Sequence, residues 1–268
     1  MGDCHGCIEE LKRLYGMLSW ISLDGIWSVG DLVDRGPDSG GVVDFCRTHG
    51  IHLVRGNHES TILSVMKTGG YTKNPDRNRT IKSIADVFAG PENWKYLSDS
   101  PYLWAIDDLN VVVVHAGLWP GFPLYLQANS HAVAIAQAIN PEKLGDSVWY
   151  EHMARENAKA GFQKYIPWQD LYDGPENVVY GHSVYDRPRI TQGFGGWTIG
   201  IDTGVPFGGS LTAVILPDKA FIQVPAAKVY CTENSRVPVS PPRYSGDPLA
   251  SSDDPEYTEG KVGTDAKS

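Results

Sequence analysis

The N-terminal part of the chain alternates amphipathic and buried segments. Apolar residues recur at helical spacing over residues 7–18, which predicts an amphipathic helix. Short apolar runs at residues 26–29 and 51–54 predict buried strands. Each strand is followed by a glycine-marked loop and then by a predicted helix, over residues 41–48 and 59–66. This repetition is typical of βαβ units, and it predicts an α/β fold.

The middle of the chain is less regular. Residues 67–101 are polar and rich in Trp, Asn and Asp, which predicts a partly helical insertion that shapes a binding site. Residues 111–114 are four valines and give the strongest strand pattern, and residues 177–180 predict another buried strand. Helical patterns are found at residues 132–139 and 147–162.

Beyond His182 the pattern changes to short strands joined by tight turns. The strands are predicted at residues 189–191, 197–201, 211–216 and 221–224, and we expect antiparallel hairpins that complete a second sheet. A final stretch rich in Pro, Ser, Asp and Glu lacks apolar periodicity, which predicts a disordered acidic tail. We therefore expect one domain over residues 1–230 and a tail over residues 231–268.

Composition and charge narrow the class of protein. The chain has 268 residues and a formal net charge of -9, so it is a poor match for a nucleic-acid backbone and we expect no nucleic-acid partner. No apolar run reaches the roughly 20 residues that span a bilayer, and no secretory pattern opens the chain. Four cysteines are too few for a disulfide scaffold. We expect a cytoplasmic protein without a membrane partner.

Six side chains that suit metal binding lie at strand ends or beside glycines. They are Asp3, His5, Asp31, Asn57, His115 and His182. A mixed set of carboxylate, amide and imidazole ligands suits Mn, Fe or Zn, whereas Ca and Mg prefer oxygen alone. A central carboxylate such as Asp31 can bridge two cations that lower the pKa of a shared water, and the resulting hydroxide attacks phosphorus in line.

Four further side chains offer proton transfer and phosphate binding. His58 directly follows Asn57, so its ring would lie at the site and give a proton to the leaving oxygen, with Asp34 fixing its tautomer. Arg35 and Arg55 carry planar guanidinium groups that match phosphate oxygens.

The first motif also contains an alternative chemistry. Cys4 and Cys7 have the spacing of a thiol–disulfide centre at a helix start. A redox centre would leave Asp31, Asn57 and His58 without a role, so we favour the metal interpretation.

Together, these motifs resemble those of the PPP-type calcineurin-like metallophosphoesterases. The resemblance covers roughly residues 1–225 and rests on five motifs, which are Gly2-Asp3-Cys4-His5-Gly6, Gly30-Asp31-Leu32-Val33-Asp34-Arg35-Gly36, Gly56-Asn57-His58-Glu59, Val114-His115-Ala116-Gly117-Leu118 and Gly181-His182-Ser183. It implies an αββα sandwich of two mixed β-sheets flanked by helices. It also implies two divalent cations, Mn first, with Fe, Zn, Co and Ni as alternatives.

The resemblance assigns a role to each candidate residue. Asp3, His5 and Asp31 would hold the first cation, and Asp31, Asn57, His115 and His182 the second. His58 and Asp34 would form the acid pair, and Arg35 and Arg55 would bind phosphate.

The C-terminal half is similar to one branch of this family. Residues 113–120, the Ile201-Asp202-Thr203-Gly204 motif and residues 208–213 resemble symmetric diadenosine tetraphosphatases, phage-type Ser/Thr protein phosphatases and fungal polyphosphatases. We first expect a phosphatase of phosphoproteins or small phosphomonoesters. The alternatives are a dinucleoside tetraphosphatase or polyphosphatase and, in another class, a non-catalytic metal- or phosphate-binding module.

The sequence departs from the family pattern at its start. The family has an apolar strand before the first motif, whereas only Met1 precedes it here. We expect that Asp3 and His5 hang from a free terminus. Either a start codon was assigned too late, which we favour, or the chain is a fragment with a weakened first metal site.

Overall fold

The computed structural model describes residues 1–68, 77–88, 90–128, 138–139, 166–193 and 195–232. Within these ranges the chain forms a mixed α/β arrangement with several sheets, which confirms the predicted fold class. The predicted helix over residues 147–162 and nearly all of the predicted tail lie outside them. None of the described helices has the length and apolar character needed to cross a bilayer.

The described residues form helices and strands with the following bounds. The helices are α1 (Ile8–Leu18), α2 (Ser39–Thr48), α3 (Asn57–Thr68), α4 (Arg77–Phe88), α5 (Pro91–Ser98) and α6 (Leu124–Gln127). The strands are β1 (Trp27–Ser28), β2 (His52–Leu53), β3 (Leu103–Ile106), β4 (Val111–Val114), β5 (Ala138–Ile139), β6 (Ile166–Pro167), β7 (Asn177–Tyr180), β8 (Arg189–Gln192), β9 (Trp197–Gly200), β10 (Asp202–Thr203), β11 (Ser210–Ile215) and β12 (Ala220–Pro225).

A five-stranded mixed sheet is built around the four valines of β4. The strand order is β3-β4-β7-β9-β8, in which β4, β7 and β9 are parallel and the two edge strands are antiparallel. Val111 and Val113 belong to the apolar cluster on one face, and Val112 and Val114 to the cluster on the other. Because both faces are covered, the strand is a continuous apolar run rather than an alternating one.

The other strands that position the site come in two groups. Strands β1 and β2 pair in parallel, while β10, β11 and β12 form an antiparallel sheet. The backbone of residues 1–2 joins the groups, because Val29 N donates to Met1 O at 3.0 Å and Gly2 N donates to Thr212 O at 2.8 Å. The expectation of a free terminus is therefore wrong, since Asp3 and His5 follow an anchored segment and are buried.

The predicted sheet of two of the strands after His182 needs correction. Strands β8 and β9 form a hairpin, but β9 also pairs in parallel with β7, so both belong to the sheet of β4 and not to the second sheet. A local hairpin pattern does not specify which sheet the hairpin joins.

The helix predicted over residues 132–139 also needs correction, because its last two residues form strand β5, which pairs with β6. The rest of that prediction lies outside the described residues.

Apolar packing stacks these layers and brings strand ends together. One core cluster lies between the five-stranded sheet and the other strands, and it includes Val29, Val54, Val179 and Ile199. A second cluster packs α1 against β11, β12 and α2, and α2 in turn packs against α4 and α5. The carboxyl ends of β1, β2, β4 and β7 consequently face one region, which is where α/β sheets usually bind ligands.

Candidate metal centre

The predicted ligands follow these strand ends. Asp31 comes after β1, His115 directly after β4 and His182 soon after β7. Asn57 and His58 form the first turn of α3, two residues earlier than the predicted helix start, so the N-terminus of a helix presents them. Asp3 and His5 follow the anchored N-terminal segment. The structure thus brings together all six proposed ligands, although they span 180 positions of the chain.

Asp31 lies at the centre of the set. Its Oδ2 atom is 3.4 Å from His115 Nε2, 3.6 Å from His5 Nε2 and 3.9 Å from His58 Nε2. The potential ligand atoms fall into two groups that share Asp31, one with His5 and His58 and the other with His115 and His182. Within each group the atoms lie no more than 4.8 Å apart, which suits two neighbouring cations that share one carboxylate.

Backbone carbonyls orient the two most buried histidines. His5 Nδ1 lies 2.8 Å from Val33 O, and His115 Nδ1 lies 2.8 Å from Val29 O. Only a protonated Nδ1 can donate to a carbonyl, so each Nε2 is left to face Asp31. Such outer hydrogen bonds are the usual device that fixes the tautomer of a metal-binding histidine.

The remaining proposed ligands surround His115. Its Nε2 lies 3.0 Å from Asn57 Oδ1 and 3.1 Å from His182 Nδ1. Asp3 Oδ2 accepts a hydrogen bond from His182 N at 3.1 Å, while Asp3 Oδ1 is buried without a hydrogen-bond partner among the described residues. An orphaned buried carboxylate oxygen is costly, and a cation would satisfy it. The donor set therefore fits divalent cations.

The charges of the cluster are strongly coupled. Burial would raise the pKa of Asp31, but the neighbouring His115, His58 and His5 outweigh it and hold that pKa well below its usual range. Burial would lower the pKa of His115, but Asp31 raises it to about 10. Burial and the nearby Asp202 raise the pKa of Asp3. Asp31 and His115 thus stabilise each other's charged forms, whereas burial and Arg35 lower the pKa of His5.

The proposed acid pair is formed as expected. His58 Nδ1 lies 2.7 Å from Asp34 Oδ2, and Asp34 N donates to Ser39 Oγ at 3.0 Å. His58 Nε2 then points towards Asp31 Oδ2. This arrangement leaves His58 Nε2 beside the proposed metal centre, where a leaving oxygen would need a proton.

The two arginines are placed differently from each other. Arg35 donates to His5 Nε2 and lies 5.2 Å above the ring of Phe207. Arg55 instead donates to Ser98 O at 2.6 Å and stacks 5.0 Å from the ring of Tyr102. The structure therefore brings Arg35 to the cluster, while the guanidinium of Arg55 is bound to the end of α5.

Left-handed backbone geometry is concentrated in the motifs. Five candidate site residues have positive φ, namely His5 (45°), Asp31 (51°), Asp34 (68°), Arg35 (66°) and His182 (67°). This region is costly for residues other than glycine, and such strain persists where surrounding contacts enforce it. The strain is consistent with loops that are shaped for a function.

Two further buried acids, Glu59 and Asp202, lie within the quoted motifs and accept backbone hydrogen bonds. Glu59 accepts backbone hydrogen bonds from the loops that carry Asp31 and Asn57, and burial and Asp31 raise its pKa to about 6. Asp202 accepts from Gly204 N at 3.0 Å, and burial raises its pKa. Asp202 also directly follows the strand predicted at residues 197–201, and that position is a signal that could have identified it, whereas Glu59 lies inside a predicted helix.

The cysteine alternative finds no support in the structure. Cys4 and Cys7 are fully buried, and burial raises the pKa of both thiols. A redox-active cysteine needs an accessible thiolate with a lowered pKa. These thiols pack in the core beside α1.

Gly181 leaves room for the carboxylate of Asp3, which gives a testable prediction. An added Cβ would lie 2.0 Å from Asp3 Oδ1 and 2.6 Å from Val29 Cγ2. Gly181→Ala is therefore expected to displace Asp3 and to lower the affinity for Mn²⁺, measured by calorimetric titration of metal-free protein. Overpacking is also expected to cost about 1–3 kcal/mol of unfolding free energy.

Gly16 provides the matched control. It lies in α1, and an added Cβ there would meet no atom within 4 Å. Gly16→Ala is expected to stabilise the protein by roughly 0.5–1 kcal/mol, with unchanged Mn²⁺ binding. Wild-type Mn²⁺ affinity in Gly181→Ala would show that Asp3 does not contribute to the centre.

The chain is similar to proteins of known family. The family model described as Calcineurin-like phosphoesterase matches residues 1–200. A symmetrical bis(5'-nucleosyl)-tetraphosphatase of Pectobacterium carotovorum is 39% identical over 132 residues, which are 46% of this chain and 44% of that protein. The symmetrical enzyme of Yersinia enterocolitica is 26% identical over 275 residues and covers 85% of this chain and 91% of its own length.

Two further matches extend over most of the chain. An asymmetrical bis(5'-nucleosyl)-tetraphosphatase of a Geobacillus species is 28% identical over 255 residues, covering 88% of this chain and 97% of that protein. A solved structure named "Crystal structure of a putative diadenosine tetraphosphatase" aligns with a TM-score of 0.65 and 30% identity, covering 84% of this chain and 91% of the other.

Proposed function

Because the chain belongs to the calcineurin-like phosphoesterase family, we propose that it hydrolyses dinucleoside polyphosphates with two divalent cations, Mn²⁺ first among them. The observation that carries this proposal is the position of Asp31 Oδ2, which faces three histidine nitrogens from two potential cation sites. Relatives named as tetraphosphatases favour the dinucleotide alternative over the phosphoprotein substrate that the sequence put first.

The six proposed ligands would divide between two cations. Asp3, His5 and Asp31 would hold one cation, and Asp31, Asn57, His115 and His182 the other. Bound there, the cations would supply positive charge for the phosphoryl oxygens and a reactive water. The burial of Asp3, Asp31 and His115 supports this assignment, because charge interactions are strong where water is excluded.

The chain itself would supply the proton and the phosphate contact. His58, hydrogen-bonded through Nδ1 to Asp34, is oriented to give a proton from Nε2 to the leaving oxygen. Arg35 touches His5 Nε2, the atom that a cation would take, so cation binding would release its guanidinium for a phosphate oxygen. Arg55 stays a proposed phosphate ligand that would first have to leave Ser98 O.

Substrate profiling tests the proposal. With Mn²⁺ present, we expect the highest kcat/KM on diadenosine tetraphosphate, lower values on polyphosphate and a phosphoserine peptide, and none without metal. Chromatography of the products separates symmetrical cleavage, which gives two ADP, from asymmetrical cleavage, which gives ATP and AMP. A higher kcat/KM on the phosphoserine peptide would contradict the proposal and would indicate a protein phosphatase instead.

A non-catalytic binding module is the remaining hypothesis. The hydrogen-bonded pair of His58 and Asp34 argues against it, because proton transfer needs that pair whereas metal binding does not. Binding of Mn²⁺ and phosphate with no turnover of any of the three substrates would favour the module.

A further inference from the structure

Glu59 joins the two loops that carry the central carboxylate and the acid. It is the third residue of α3, it is fully buried, and its carboxylate accepts three backbone hydrogen bonds. Oε1 accepts from Leu32 N at 2.7 Å, and Oε2 accepts from Asp31 N and from Gly56 N, both at 2.9 Å. Two of these donors belong to the loop after β1, and the third precedes α3.

The bond to Gly56 N follows a known capping pattern. In a capping box, a glutamate at the third helical position accepts from the backbone N–H of the N-cap residue. The residue at the N-cap position usually completes the box with its own side chain, but Gly56 has none. Here the side chain of Asp31, in the neighbouring loop, supplies the missing acceptor, because its Oδ1 accepts a hydrogen bond from His58 N at 3.0 Å. The two loops therefore exchange hydrogen bonds.

This exchange fixes which oxygen of Asp31 faces the cluster. With Oδ1 held by the N-terminus of α3, Oδ2 is left at 3.4–3.9 Å from the three histidine nitrogens. The backbone of Asp31 has a φ of 51°, a conformation that needs support from its surroundings. The hydrogen bonds from Asp31 N and Leu32 N to Glu59 supply that support on both sides of the strained residue.

We propose that Glu59 is a positioning residue, which orients the Asp31 carboxylate so that its Oδ2 faces both groups of potential cation ligands. An ordinary helix cap would affect only stability. A positioning residue must also change metal binding, because the orientation of Asp31 decides whether the two sites share a ligand. Outer contacts of this kind typically contribute about 10–100-fold to metal affinity.

Glu59→Gln is the informative variant. It preserves volume, but an amide has only one acceptor oxygen, whereas both carboxylate oxygens are in use. If that oxygen accepts from Asp31 N and Gly56 N, the amide nitrogen faces Leu32 N, and two donors oppose each other. Glu59→Asp retains both acceptors on a shorter side chain and is expected to restore part of the wild-type behaviour.

Glu10→Gln is the matched control. Glu10 is also a fully buried helical glutamate, but its Oε1 accepts from Ala227 N at 2.8 Å and Tyr230 Oη at 2.9 Å, away from the cluster. Its Oε2 has no hydrogen-bond partner among the described residues, so an amide nitrogen can take that place. Glu10→Gln is expected to leave Mn²⁺ affinity unchanged.

The experiment measures Mn²⁺ binding and amide exchange in the full chain. Calorimetric titration of metal-free protein is expected to show about 10–100-fold weaker Mn²⁺ binding for Glu59→Gln and an intermediate loss for Glu59→Asp. Hydrogen exchange of the metal-free variant is expected to be faster at Leu32, whose N–H then faces the amide nitrogen. Unchanged affinity and exchange would overturn the proposal. If Glu59→Gln does not fold, wild-type affinity in Glu59→Asp, compared with Glu10→Gln, would overturn it.

This inference rests on the proposed cation centre, and the titration separates the two claims. If wild-type protein binds no Mn²⁺, the centre itself is refuted. If wild type and Glu59→Gln bind Mn²⁺ equally, only the role of Glu59 is refuted.

Discussion

Asp31→Asn is expected to abolish metal-dependent hydrolysis. The amide keeps an oxygen at the Oδ1 position, where it accepts from His58 N, so the start of α3 remains capped. It replaces Oδ2 by an NH₂ group that cannot bind a cation and that faces three histidine nitrogens. Loss of one preorganised electrostatic group typically costs about 10²–10³ in kcat, and the loss of a ligand shared by two cations should cost at least that much.

Turnover of p-nitrophenyl phosphate with added Mn²⁺ measures this effect. The control is Asp44→Asn, because Asp44 is an exposed acid of α2 whose carboxylate pairs with Arg47. Asp44→Asn is expected to retain wild-type kcat. A fall of less than tenfold for Asp31→Asn, in protein with an unchanged melting temperature, would contradict the proposal that both cations share this carboxylate.

His58→Asn is expected to cost most where the leaving group is a strong base. General acid catalysis contributes typically 10²–10⁴-fold when the leaving oxygen needs a proton. Phenol, like the tyrosine side chain, has a pKa of about 10, whereas nitro substitution makes the leaving oxygen far less basic. We therefore expect kcat for phenyl phosphate to fall by roughly 10²-fold or more and kcat for p-nitrophenyl phosphate to fall much less.

The comparison of leaving groups separates proton donation from a general structural role. His52→Asn is the control, since His52 is exposed and stacks on Trp27, away from the cluster. It is expected to change neither rate. Equal losses of kcat for the two phosphates in His58→Asn would mean that His58 acts through metal binding or folding and not as an acid.

Residue chemistry and strand ends were enough to predict the cluster. Asp31, Asn57 and His115 each follow a predicted strand closely, and parallel strand ends meet at one edge of a sheet. The contacts that orient these residues could not be predicted in the same way. The hydrogen bond between Glu59 and Asp31 N joins residues 28 positions apart, and that between His182 N and Asp3 joins residues 179 positions apart. No local sequence pattern predicts either hydrogen bond.

The wrong predictions have the same physical origin. The free terminus was expected because Met1 alone precedes the motif, yet its partners Val29 and Thr212 lie far along the chain. The hairpin of β8 and β9 was recognised from its turn, but its sheet is decided by the pairing of β9 with β7. The contact of Arg55 with α5 also depends on distant packing, and the role of Arg55 in phosphate binding stays a prediction.

We propose that hydrolysis requires two cations that share Asp31. The most direct measurement titrates metal-free protein with Mn²⁺ and follows bound metal and the turnover of diadenosine tetraphosphate in the same samples. We predict that two equivalents bind and that turnover rises mainly as the second is taken up. Full turnover in metal-free protein, or with a single bound equivalent, would contradict the account.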